Sequence, residues 1–373
     1  MINFRTYLNT HKMFLLITFI LITVILTLLF LTIRTDALTT LDPQSSLANN
    51  TVLDLRADVK GTQSKNESTN TSSSTAEDIQ LQSASDSEVT VTTNQLNTGT
   101  EESVDLSSVK IQADSAIVWD VENQTVLYEK NADVEKPLAS ITKLMTALVA
   151  VNLPDYSHDK EILITRQHLD AYGNSGLVAG QIWNIKDLIS FMLMSSANDA
   201  SRAVASFGSD EVSDGYYSKS FIDQMNKKAR ELGLESTYFF NPSGLDLNES
   251  LISGGYGNAR DIAHLFDYIL KANQDILEPT TVSSRLFQSK EGVVQSSINT
   301  NGYLSHFSNI LGSKTGYTVL AGGNLVMAFD LESPVVIVVL GSSRNGRFTD
   351  MEKLYNATRH HFQNWSINSL YNQ

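Results

Sequence analysis

Residues Thr35–Ser108 contain no Phe, Tyr or Trp, and about one third of them are Ser or Thr. A segment of that composition cannot bury enough apolar surface to offset the entropy of ordering it. Globular structure is thereby confined to residues 109–373. The stretch 35–108 is expected to be a disordered linker, its ends on the order of 50 Å apart as a coil. Ahead of it, Met13–Ile33 is an unbroken apolar run without charge, long enough to span a bilayer. Arg5, His11 and Lys12 precede the run, which orients the N-terminus to the cytoplasm and the remainder to the outside. A cleaved signal peptide is the competing reading, but the run is long for one and no small-x-small site follows Ile33. The expected division is a stub and membrane anchor over 1–34 (span 13–33), a linker over 35–108 and one folded domain over 109–373.

Charge and composition narrow the function classes. The net charge is −14, divided as +3 over 1–34, −9 over 35–108 and −8 over 109–373, which argues against nucleic acid as a partner. The chain has no cysteine, so a disulfide framework, a cysteine nucleophile and thiolate metal sites are excluded.

Within 109–373, Ala113–Trp119 and Thr125–Tyr128 flank a polar turn and predict a β-hairpin. From Ser140 the apolar residues Ile141, Leu144, Met145, Leu148 and Val149 recur at three and four, the pattern of a helix with one buried face. Further helices are expected over Trp183–Met194, Asn198–Phe207, Phe221–Leu234, Ala259–Ala272 and Phe348–Trp365. Strands are expected at Glu161–Thr165, Lys314–Leu320, Gly323–Asp330 and Pro334–Leu340. Strands at both ends with helices between them make an α+β domain. Its antiparallel sheet is built from the first hairpin and the last strands and packs against the first and last helices, while the middle helices form a second lobe.

Three short motifs follow one another along this domain. Ser140 and Lys143 stand one helical turn apart, so their side chains can meet. A serine hydroxyl is a weak nucleophile that needs a base, and a lysine serves once burial or a neighbouring cation lowers its pKa. Alone, Ser-x-x-Lys is a weak signal, and Ser107/Lys110 and Ser157/Lys160 repeat it. Ser196-Ala197-Asn198 and Lys314-Thr315-Gly316 follow in order, which completes the signature shared by penicillin-binding proteins and class A β-lactamases.

With these residues in hand, the domain resembles the D-alanyl-D-alanine carboxypeptidases, the low-molecular-mass penicillin-binding proteins of the serine peptidase type. The stretches Pro137–Met145, Met194–Ala200, Phe240–Asp246 and Gly312–Thr318 all look like that family. The resemblance implies a β-lactamase/transpeptidase-like fold and an acyl-enzyme mechanism in the bacterial cell wall. Ser140 would attack the carbonyl between two D-alanines of a peptidoglycan stem peptide, and Lys143 would take its proton. Ser196 would relay a proton to the leaving D-alanine, and Asn198 would orient Lys143 and the peptide amide. Lys314 and Thr315 would hold the terminal carboxylate, and Gly316 would leave room for the substrate along the strand edge. The backbone N–H groups of Ser140 and Tyr317 would form the oxyanion hole. The implied partners are stem peptides, β-lactam antibiotics as covalent inhibitors, and the membrane through the N-terminal helix. No cofactor and no metal are expected, and the domain should lie outside the cytoplasmic membrane.

Plainer roles compete for several residues. Ser196 can cap the following helix, Lys314 can be a surface lysine on an edge strand, and Asp199 can be a helix-start charge. Arg344 and Arg347 read as solvated loop arginines rather than carboxylate contacts. As whole-protein alternatives, a class A β-lactamase would want Ser-Asp-Asn and a Glu-x-x-Leu-Asn loop between Asn198 and Lys314; Ala197 replaces Asp and that loop is missing. A D,D-endopeptidase would use the same residues, and a penicillin sensor would acylate without turnover. A metallopeptidase lacks His-Glu-x-x-His, and no histidine stands beside a recognised motif.

Overall fold

The first strand of the domain, Ser115–Asp120, is buried along its whole length because helices cover both faces of its sheet. The computed structural model describes residues 105–173, 175–207 and 219–371, with side chains through 364. They belong to one compact unit, Thr93–Gln373. The expected membrane span and almost all of the expected linker lie outside the described residues. Among the described residues no helix is long and apolar enough to cross a membrane. The description opens at Asp105, whose carboxylate caps a 3-10 turn, and Leu106 of that turn is already buried, ahead of the expected domain start at 109.

In chain order the strands are β1 (Ser115–Asp120), β2 (Thr125–Lys130), β3 (Lys136–Pro137), β4 (Glu161–Leu163), β5 (Ile182–Asn184), β6 (Tyr238–Phe239), β7 (Gly255–Gly257), β8 (Ser284–Gln288), β9 (Val294–Ile298), β10 (Ile310–Thr318), β11 (Gly322–Asp330) and β12 (Pro334–Ser342). The helices are α1 (Lys143–Val151), α2 (Arg166–Leu169), α3 (Ile185–Ser195), α4 (Asn198–Ala205), α5 (Lys219–Glu231), α6 (Ala259–Ala272) and α7 (Gly346–Tyr371).

The main sheet has the order β10-β11-β12-β1-β2, so the N-terminal hairpin joins the C-terminal strands through the antiparallel pair β1–β12. Asp120 turns that hairpin, its Oδ1 accepting the N–H groups of Glu122 and Asn123. Side chains alternate between two cores, as the two-residue period of a strand requires. Val118, Met327, Phe329, Ile337 and Val339 face α7 through Phe348, Met351, Leu354 and Tyr355. Ile117, Val326, Ala328, Val336 and Val338 face the helical lobe. The inner face is covered chiefly by α6, with Ile262, Leu265, Phe266 and Ile269 buried. The helix after Ser140, expected on the sheet, is instead the hub of the helical lobe. Every residue from Lys143 to Ala150 is buried, because α3, α4, α5 and α6 surround it.

Two small elements differ from expectation. Trp183 lies on β5 and not in the helix, because Asn184 caps α3 by accepting the N–H groups of Lys186 and Asp187. The hairpin β8–β9 is not among the expected strands; it is anchored to the rest by backbone and amide contacts to Ser175 and Ile182.

Candidate active site

The approach to Ser140 is fixed from both sides. Pro137 pairs with Tyr256 of β7, and the Leu138 N–H donates to the Gly255 carbonyl at 2.9 Å. Ala139 then takes a left-handed φ of +49°, a conformation that costs a residue with a Cβ on the order of 1 kcal/mol. The chain enters a 3-10 turn, Ala139–Thr142, and only then α1. Ser140, partly exposed, presents its Oγ 2.9 Å from Lys143 Nζ.

Lys143 is fully buried and has two more partners. Its Nζ lies 2.8 Å from Asn198 Oδ1 and 2.8 Å from the carbonyl oxygen of Ser243. Burial, followed by the positive charge of Lys314, holds its pKa well below the usual lysine range, while Asp199 pulls the other way. The Ser243 carbonyl is delivered by a tight turn in which Asn241 Oδ1 accepts the N–H groups of Ser243 and Gly244. Gly244 has a φ of +77°, and a Cβ there would sit 1.9 Å from the Ala139 carbonyl oxygen. The stretch Phe240–Asp246 carries part of the family resemblance, but that the Ser243 backbone carbonyl reaches Lys143 leaves no side-chain signal.

Ser196 and Asn198 lie between α3 and α4. Ser196 sits at the end of α3 with a left-handed φ of +58°. It does not cap α4, whose first flanking residue is Ala197. Its Oγ accepts from Lys314 Nζ at 2.9 Å. Asn198 turns its amide nitrogen to the Tyr172 carbonyl at 2.8 Å, which aims Oδ1 at Lys143. Asp199 is not a simple helix-start charge: it is buried and accepts from the Ser175 hydroxyl, tying the loop after Tyr172 to α4.

Lys314 is on β10, the edge strand of the main sheet, yet it is buried and not a surface lysine. Burial, then the nearby Arg347, push its pKa down to about 7. Thr315 Oγ1 lies 2.6 Å from Thr300 Oγ1, and a Cβ on Gly316 would sit 2.8 Å from the Leu138 carbonyl oxygen, so β10 runs against the Ser140 turn. Tyr317 follows, half exposed, with the Arg344 guanidinium 5.1 Å from its ring centre. Arg347 is the clearest departure from expectation. It is buried in the first turn of α7, and its Nη1 donates to the Gly316 carbonyl at 2.6 Å. Two hydrogen-bonded groups therefore meet at the site: Ser140, Lys143 and Asn198 from α1 and α4, and Ser196 and Lys314 from the α3–α4 turn and β10, with Thr315 and Gly316 beside them; the positive charge of Lys314 acts on Lys143 across the gap between them. A cavity of about 890 Å³ borders the site, with Tyr172, Phe240, Ser243 and Asp246 among its walls. Among the described residues no cluster of His, Asp or Glu could hold a metal ion.

Residues 98–344 match the profile described as D-alanyl-D-alanine carboxypeptidase, Peptidase S11. The chain belongs to this D-alanyl-D-alanine carboxypeptidase family. It is 32% identical over 218 residues to the D-alanyl-D-alanine carboxypeptidase DacF of Bacillus subtilis, covering 57% of this chain and 52% of that one. It is 31% identical over 256 residues to a D-alanyl-D-alanine endopeptidase of Escherichia coli, covering 66% of this chain and 77% of that one. The crystal structure of the Streptomyces K15 DD-transpeptidase aligns with a TM-score of 0.61 at 27% identity, over 67% of this chain and 97% of that one. The alignment spans 52% of DacF and 60% of the Escherichia coli carboxypeptidase DacA, so it accounts for little more than half of each. The antiparallel sheet flanked by helices is shared with that transpeptidase structure.

Proposed function

We propose that this chain is a serine-type D-Ala-D-Ala carboxypeptidase that removes the terminal D-alanine from peptidoglycan stem peptides through an acyl-enzyme. The observation that carries this reading is the set of partners around Lys143. A neutral amine has two N–H donors and one lone pair. Asn198 Oδ1 and the Ser243 carbonyl take the two donors, and the lone pair is left for the Ser140 hydroxyl. Lys143 is thus a base already aimed at the nucleophile.

In the reaction, Ser140 Oγ attacks the carbonyl between the two D-alanines as Lys143 takes its proton. The developing oxyanion is held by the N–H groups of Ser140 and Tyr317, each such donor commonly contributing ~3 kcal/mol. Ser196 passes the proton on to the departing D-alanine nitrogen. Charged Lys314 and the Thr315 hydroxyl hold the terminal carboxylate, and Gly316 lets the peptide lie along the free edge of β10. The cavity beside Ser243 leaves room for the upstream part of the peptide. Water then cleaves the ester and frees the shortened peptide. β-Lactams acylate the same Ser140. Met13–Ile33 anchors the domain in the bacterial cytoplasmic membrane on its outer side, a reading supported by the length of that apolar run.

One observation favours a second reading, a D,D-endopeptidase cutting cross-links. The chain is 31% identical over 256 residues to the Escherichia coli endopeptidase, which matches its 32% over 218 residues to the carboxypeptidase DacF. Incubating the full chain with a soluble pentapeptide and with a cross-linked muropeptide separates the two. Free D-alanine from the pentapeptide supports the carboxypeptidase; cleavage of the cross-linked substrate alone supports the endopeptidase.

A further inference from the structure

Asn324 on β11 has no exposed surface and lies opposite Gly316 in the β10–β11 register. Its Nδ2 donates to the carbonyls of Pro137 at 2.9 Å and Leu138 at 3.0 Å, and its Oδ1 accepts the Gly341 N–H at 2.9 Å. All the hydrogen-bonding groups of a planar amide lie in one plane, so these three bonds lock the Pro137–Leu138 backbone to the sheet in one orientation. The two carbonyls immediately precede Ala139, the left-handed residue that throws the chain into the Ser140 turn. Leu138 is held at its other end by Gly255, and its carbonyl oxygen also rests against Gly316.

One side chain thus spans the two backbone segments that meet at the reacting carbonyl. The Ser140 N–H belongs to the first turn of a 3-10 segment, where backbone donors have no partner within the turn. Tyr317 follows Gly316 directly, on the strand that Asn324 faces.

We propose that Asn324 is a positioning residue that sets the separation of the two oxyanion donors, the Ser140 and Tyr317 N–H groups, by clamping the Pro137–Leu138 carbonyls to β11. The inference rests on the acyl-enzyme reading above and adds to it the residue that preorganises the transition-state site. The hydrogen bonds of the Asn324 side chain go to Pro137, Leu138 and Gly341 and to neither lysine, so its effect falls on acylation chemistry and leaves the titration of the base alone.

The test uses the full chain with Asn324→Asp, which keeps an acceptor for Gly341 and removes both donors, and Asn324→Leu, which removes all three bonds. Stopped-flow acylation by a fluorescent penicillin, run to saturation, separates the non-covalent binding constant from the first-order acylation rate. Thermal unfolding reports the folded fraction. In both variants the acylation rate of the folded protein should fall roughly 10- to 100-fold, a share of the effect of losing one oxyanion donor. The binding constant should stay within about twofold, and in Asn324→Leu, which adds no charge, the acid limb of the pH–rate profile should not move. An unchanged acylation rate in folded Asn324→Leu overturns the inference, as does a loss that follows only the folded fraction or an acid limb displaced in Asn324→Leu. A wild-type chain that is never labelled overturns the acyl-enzyme reading itself, whereas a labelled wild type beside an unaffected variant sinks this inference alone.

Discussion

Lys143 Nζ lies 2.8 Å from the carbonyl oxygen of Ser243, one hundred residues further along the chain. Asn198 Oδ1 and the Ser140 hydroxyl are its other two hydrogen-bonding partners, and in the proposed mechanism the carbonyl and the amide oxygen take the two N–H groups of a neutral amine, which leaves its lone pair for Ser140. The chemistry of the site therefore depends on how few anionic groups surround this lysine.

Asn198→Asp tests that dependence. The substitution sets a carboxylate where Oδ1 now lies 2.8 Å from Lys143 Nζ. An opposite charge at that range favours the ammonium, so the pKa of Lys143 rises. Acylation by a fluorescent penicillin at pH 7 should fall at least about tenfold and recover as the pH is raised. A variant with the wild-type pH profile would contradict the assignment of Lys143 as base.

The pH dependence of the wild type has two limbs with opposite signs. Lys143 must be neutral, so activity rises as pH climbs through its lowered pKa. Lys314 must be charged to hold a carboxylate, so kcat/KM falls as pH climbs through about 7. Lys314→Met removes the cation that lowers the Lys143 pKa, and the acid limb should move to higher pH while the alkaline limb disappears. The lost charged contact should also cost about 10- to 100-fold in kcat/KM for a substrate ending in carboxylate. Rate profiles of both proteins against a pentapeptide measure all of this.

Gly244→Ala places a Cβ 1.9 Å from the Ala139 carbonyl oxygen at a φ of +77°. Neither side of that contact is a flexible side chain, so the turn or the Ser140 segment must shift. The expected loss is about 2 kcal/mol or more of stability, together with slower acylation. Thermal unfolding and penicillin labelling report the two effects separately.

The parts of this fold that could be read in the sequence are those whose signal is local. The bounds of α6 match its pattern because Asn258 caps it and Ile262, Leu265, Phe266 and Ile269 mark one buried face. That the N-terminal hairpin and the C-terminal strands share one sheet followed from strands standing at both ends of the domain with helices between, and the antiparallel pair β1–β12 is where they join. The parts that could not be read depend on distant partners. The Ser243 carbonyl is a backbone group, and its contact with Lys143 leaves no mark on residue type. Arg347 resembles any loop arginine until α7 begins at Gly346 and brings its guanidinium to the Gly316 carbonyl. Trp183 continues the apolar spacing of α3, but Asn184 stops the helix short of it, and the indole packs against Phe191 from β5 with the ring planes tilted by 46°.

Locating the covalent adduct tests the account most directly. The full chain is exposed to a β-lactam at neutral pH, digested and analysed by mass spectrometry. A single adduct on the peptide carrying Ser140, absent from Ser140→Ala although that variant unfolds at the wild-type temperature, is the predicted result. An adduct on Ser196 or any other residue, or labelling that survives in Ser140→Ala, would contradict it.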